Sequence, residues 1–222
     1  PTADMRPGLG AQILSDPFLN TSYWPTYRLS AGSVGYGNGE LTLAVHQPDG
    51  LLSSLRKETV LDDYYLEVTV EPSLCRGADN FGLLFRSASE WNTYRFVVSC
   101  DGQTRVERVR NGSVYPLKDW SAGVMLLPTS TSAIRLGLLA AGEEFRFFID
   151  DVYQFSVRDP IFTSGQVGLF ARSASESALT VSFQDLTIWA VDAEAVRPTA
   201  TPEPSPTATL TRAPTFTPAP TR

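Results

Sequence analysis

Nucleophilic catalysis needs a base beside a serine or cysteine, and the sequence offers a single histidine, His46. It ends an alternating run that begins at Leu41, on the polar side, with no Ser/Asp context, so it reads as a solvated surface side chain. Glycoside hydrolysis needs two carboxylates flanking one bond, which a strand can present together at a spacing such as Glu-x-Asp-x-x-Glu. That spacing does not occur. Asp62-Asp63, Glu143-Glu144 and Asp150-Asp151 are chain neighbours, which point to opposite faces of a strand or sit in turns. The expectation is a protein that is not an enzyme.

Binding chemistry is better represented. Sugar recognition combines flat aromatic faces with planar hydrogen-bond donors. The candidates are Trp91 in a turn, Trp120 in the Lys118–Ser121 loop, and Tyr94, with Arg86 and Arg95 projecting opposite to the core-facing Phe85 and Phe96. The competing reading has the aromatics closing the ends of the domain and the arginines paired with acids.

The elements that would position these residues are strands. Leu41, Leu43 and Val45 alternate with polar neighbours, as do Tyr64, Leu66, Val68 and Val70, so each run has a buried and a wetter face. The runs 81–85, 94–98, 134–139 and 167–170 are apolar on both sides, as central strands of two packed sheets are. Asp101-Gly102 and Asn111-Gly112 separate successive runs and favour tight hairpin turns. A dozen or so short strands predict an all-β, two-sheet antiparallel jelly-roll sandwich over residues 16–196. Cys75 precedes the run 81–86 and Cys100 ends the run 94–99, so a hairpin between them would bring the two cysteines together. A disulfide fits an exported chain, and two unpaired thiols are the alternative.

The ends differ from the middle. Residues 1–15 carry Pro1, Pro7, Gly8 and Gly10 and read as an extended arm that can dock on a neighbouring subunit. Residues 197–222 hold seven Pro and eight Thr and predict an extended tail that could reach roughly 80 Å at about 3.1 Å per residue. That composition is typical of O-glycosylated stalks, with candidate acceptors at Thr199, Thr201, Ser205, Thr207, Thr209, Thr211, Thr215, Thr217 and Thr221. A plain unmodified linker is the other reading. The formal charge is −6, and because the tail is net positive the part that folds is more acidic still. An acidic domain without a Lys/Arg cluster argues against nucleic acid, and no apolar run is long enough to predict membrane insertion. A start at Pro1 is compatible with a removed export signal.

The stretches Asn80-Phe-Gly-Leu-Leu-Phe-Arg86, Tyr94-Arg-Phe-Val-Val-Ser99, Asp101-Gly-Gln103, Phe147-Phe-Ile-Asp150 and Gly165-Gln-Val-Gly-Leu-Phe170 resemble the concanavalin A-like lectin/glucanase superfamily, laminin G-like members included. The resemblance covers roughly residues 13–190 and continues into Val181–Leu186, where Gln184 replaces an acid of the family pattern. It implies ligands on a concave sheet and, in some members, a structural Ca²⁺ to which Asp16 or Asp185 could contribute. No other cofactor is expected. The tail adds a resemblance to exported bacterial surface proteins. The resulting expectation is a non-catalytic extracellular, cell-surface protein, a structural or adhesive subunit that self-associates through its terminal segments into a glycosylated fibre or surface layer. The alternative is a carbohydrate-binding module on a Pro/Thr tether.

Overall fold

The computed structural model describes residues 4–123, 133–174, 176 and 178–196. The tail and its nine candidate acceptors lie outside them. Strands β1 to β5 span Leu9–Asp16, Tyr27–Leu29, Gly32–Gly37, Glu40–Val45 and Leu51–Leu61. Strands β6 to β10 span Tyr64–Ser73, Asn80–Ser89, Asn92–Ser99, Gln103–Arg110 and Ser113–Ala122. Strands β11 to β15 span Ile134–Ala141, Glu144–Ile149, Val152–Arg158, Gly165–Arg172 and Leu179–Val191, and a four-residue helix, α1, follows at Ala193–Val196.

The strands form two antiparallel sheets packed as a jelly-roll sandwich. One runs β13-β12-β11-β6-β15-β4-β3-β2, with β1 pairing β15, and the other runs β10-β9-β8-β7-β14-β5. The alternating runs place Leu41, Leu43, Val45, Tyr64, Leu66, Val68 and Val70 between the sheets, against Phe81, Leu83, Phe85, Phe96 and Leu169 of the other. The runs that are apolar on both sides bury their second face separately. Leu84, Val97 and Phe170 form a small cluster outside the six-stranded sheet, and Tyr65, Leu139 and Phe148 form another outside the nine-stranded sheet.

Turn chemistry sets the registers. Asn111 and Gly112 both have positive φ, 49° and 80°, as a two-residue hairpin turn of the primed type requires. Asp150 and Asp151 do the same between β12 and β13, with φ 48° and 64°. Cys75 and Cys100 form a disulfide with Cα atoms 5.4 Å apart, at the open end of the β7–β8 hairpin where Asn80 faces Ser99.

Two expectations about local structure are corrected. Residues 9–15, read as part of an arm, join Asp16 in β1 on the domain itself, paired with the second half of β15 from Leu9 opposite Val191 to Asp16 opposite Leu186. Leu14 packs on the core, and Asp16 accepts hydrogen bonds from Arg56 Nε at 2.8 Å and Trp24 Nε1 at 3.1 Å. That buried ion pair ties β1 of one sheet to β5 of the other. Residues 118–121, read as a loop, belong to β10. Its pairing with β9 shifts register between Lys118 and Ser121, so the alternation that marks a strand is broken there.

Candidate functional site

On the outer face of the six-stranded sheet, adjacent strands bring unlike chains together. In the β8–β9 ladder Arg95 lies opposite Glu107 and Val97 opposite Arg105, so all four project from the same face. Asn80 of β7, Phe170 and Arg172 of β14, and Leu51 of β5 continue the surface across the sheet, and Trp120 of β10 closes one side. These residues line a cleft of about 220 Å³. Its floor is apolar, from Val97 and Phe170, and its rim is charged.

Trp120 is 40% exposed, and the Arg105 guanidinium lies over its ring at 5.6 Å from the centroid. Arg105 Nε is 3.0 Å from Glu107 Oε1, and Arg95 Nη1 is 3.9 Å from Glu107 Oε2. Arg95 rests over Phe170, 5.8 Å from the ring centroid, with a side chain only 12% exposed. Burial lowers its pKa from the ordinary arginine value against the opposing pull of Glu107, and the nearby charge of Arg172 adds to the lowering. Among the described residues Arg172 forms one ion pair, with the exposed Asp49 at 3.9 Å. Glu107 is the only carboxylate among the residues lining the cleft.

The structure brings together Arg95 and Trp120 of the five residues read as sugar contacts, and separates the other three. Arg86 is 1% exposed and turned inward at a bulge, with φ 48°. Its guanidinium donates to the carbonyls of Asp62, Gly142 and Phe162 and stacks over Phe145, so it joins the loops at one end of the sandwich. Tyr94 is fully buried and donates its hydroxyl to Asp159 Oδ1 at 2.5 Å, while Asp159 is also paired with Arg108. Both were read as outward-facing sugar contacts and are instead buried and bonded within the fold. Trp91 is 60% exposed at the tip of the β7–β8 hairpin, against Gly112. It lies six residues along the chain from Val97 of the Val97–Arg105 row, roughly 20 Å at about 3.3 Å per residue. Trp91 therefore cannot share a small ligand with Trp120.

The sequence reading missed Arg105, Glu107, Asn80, Phe170 and Arg172. The charged and apolar residues alternate along Gln103–Arg110, which marks Arg105 and Glu107 as neighbours on one face. Nothing local ties Arg172 to them, because β14 reaches the cleft from 65 residues further along the chain.

The proposed calcium contributors are not arranged for a metal. Asp16 is committed to Arg56, Trp24 and the Phe18 amide, and Asp185 is an exposed bulge residue with φ 50°. Among the described residues no group of three or more His, Cys, Asp or Glu side chains is placed to hold a metal ion. A larger hollow of about 500 Å³ lies beside α1, but its polar lining is Glu143, Glu144 and Arg158, and no aromatic side chain faces it. Glu144 is bonded there to Arg146 and Arg158, which hold its carboxyl below the ordinary glutamate range although burial alone would raise it.

A carbohydrate-binding module, CBM66, from Bacillus subtilis superposes with a TM-score of 0.62 at 20% identity, over 77% of this chain and 98% of that one. The likeness is one of fold, a two-sheet jelly roll. A Bacillus subtilis protein of unknown function with a galectin-like fold matches with a TM-score of 0.64 at 15% identity, over 82% and 97% of the two chains. A Bacillus licheniformis β-glucanase matches with 0.59 at 11%, over 82% and 99%. No protein-family model matches the sequence, and no curated protein does. Solved structures at this distance include both a carbohydrate-binding module and a glucanase, so the chemistry of the cleft has to separate the two.

Proposed function

We propose that the domain is a non-catalytic carbohydrate-binding module, presented outside the cell, and that it holds a glycan in the cleft on the six-stranded sheet. The observation that carries this is the exposed Trp120 standing beside Arg95, Arg105, Glu107 and Asn80 over an apolar floor. A sugar ring has an apolar face that stacks on an indole and an edge of hydroxyls that meets planar donors and carboxylate acceptors. The likeness to a carbohydrate-binding module supports the same reading. Hydrolysis lacks its second carboxylate, since Glu107 has no acidic partner among the residues lining the cleft. The disulfide and the Thr/Pro extension support an extracellular setting, with the extension as tether.

The test is retention on a broad glycan array. Trp120→Ala should lose at least tenfold in affinity, about 1.4 kcal/mol, while Trp91→Ala retains binding. A blank array for the intact protein, or release of reducing sugar from any bound glycan, would refute the proposal. A fibre subunit docking through its first residues would need β1 free, and its pairing with β15 weighs against that reading.

A further inference from the structure

We infer that the cleft accepts a sugar carrying a negative substituent, a uronate carboxylate or a sulfate. This rests on the carbohydrate-binding reading and adds the ligand class. Three guanidinium groups, Arg95, Arg105 and Arg172, face one cleft that contains a single carboxylate, in a chain whose formal charge is −6. The local sign therefore runs against the sign of the whole molecule.

The hydrogen bonding of these three groups is incomplete. Among the described residues Arg95 Nε is buried without a hydrogen-bond partner, and Arg105 Nε, also without one, lies in an ion pair 3.0 Å from Glu107 Oε1. Among the described residues the one ion pair of Arg95 is with Glu107 at 3.9 Å, and that of Arg172 is with Asp49 at the same distance. Among the described residues none of the terminal nitrogens of Arg95, Arg105 and Arg172 donates a hydrogen bond to the protein, and an anion docking against them would take up donors that the protein leaves open. By contrast, Arg86 and Arg146, outside the cleft, donate hydrogen bonds through both Nε and their terminal nitrogens, whereas Arg108 has an unpartnered Nε but a terminal nitrogen bonded to Asp159.

A neutral sugar fits this set poorly. Each hydroxyl both donates and accepts, whereas arginine offers no acceptor, and Glu107 is already shared between two arginines. The forked donors of arginine match the paired oxygens of a carboxylate or sulfate.

The experiment is calorimetric titration of the full chain with oligogalacturonate, oligomannuronate, hyaluronan oligosaccharides and chondroitin sulfate. Each is compared with its carboxyl-reduced or desulfated counterpart, so that backbone and linkage stay fixed while charge is removed. At least one acidic oligosaccharide should bind ten times or more tighter than its neutral counterpart, and the difference should shrink between about 20 mM and 300 mM salt. The reduced and the desulfated arms identify which anion is recognised. Arg95→Gln and Arg172→Gln should each erase most of the preference. If Arg95→Gln fails to fold, the half-exposed Arg172 decides. Equal binding of charged and neutral forms, still lost in Trp120→Ala, would overturn the charge inference and leave the binding module standing. Failure of every glycan, neutral or acidic, on both the array and in solution would overturn both.

Discussion

Arg86 reads from the sequence as an outward-facing strand residue and is instead among the largest fully buried side chains of the protein. The difference lies in a bulge between Phe85 and Ser89, which breaks the alternation that the flanking residues keep. Its removal in Arg86→Ala should leave the carbonyls of Asp62, Gly142 and Phe162 without their donor and cost on the order of 3 kcal/mol. Urea denaturation followed by tryptophan fluorescence measures this, and a change below about 0.5 kcal/mol would contradict the assigned role. Arg95, on the next strand and opposite Leu84, does face outward, as its neighbour Phe96 on the core side requires. Residue type alone could not separate the two, because both are arginines in apolar strands. What decides their roles is whether the pleat is interrupted.

At the level of elements, the strands carrying Leu41–Val45, Tyr64–Val70 and the hairpins at Asn111-Gly112 and Asp150-Asp151 were legible, because period-two patterning and positive-φ turns are local signals. Pairing across the cleft was less so. The connection between β8 and β9 uses three residues, with Gly102 at φ 82°, and this sets Arg95 opposite Glu107. A two-residue turn at Asp101-Gly102 would have slipped the ladder by one and sent Arg105 and Glu107 to the core side. β1 was hidden because its small and polar residues give little alternation and its partner is at the far end of the chain. Its fastening is testable: Asp16→Ala leaves Arg56 buried without its counter-charge and should cost about 3–5 kcal/mol, measured by chemical denaturation. Reducing the Cys75–Cys100 bond, which closes a 25-residue span, should remove about 3 kcal/mol in the same assay. The β11–β12–β13 meander adds an acid-sensitive contact. Glu144 is held below its ordinary pKa, so its contribution is present above the unfolded value, about 4.3, and fades as pH falls through the lower folded value. Glu144→Gln should therefore lower stability at neutral pH and flatten its decline below about pH 4, read from melting temperature against pH.

In the whole molecule, the two outer faces of the sandwich have different occupants. The six-stranded sheet leaves its face open as the cleft. Part of the nine-stranded sheet, over β6, β11 and β12, is covered by residues near the two described termini: Val196 is buried against Tyr65, Leu139 and Phe148, with Met5 packed beside it. Arg6 reaches Tyr65, Glu67 and Asp151, and Arg146 donates to the carbonyl of Met5 and to that of Val196, both at 3.1 Å. The extension that begins at residue 197 is thus rooted on the face opposite the cleft, so a tether would hold the module by its back.

The Arg146 clamp also decides how the domain would respond to a mechanical load. Residues 5 and 196 meet at one guanidinium, and Leu9 and Val191 are the adjoining rung of the β1–β15 ladder. Tension applied between those two points would break the rungs one after another from that end, like a zip, instead of loading them together in shear. The first strand would peel away at low force while the disulfide-linked sheet and its cleft stayed assembled.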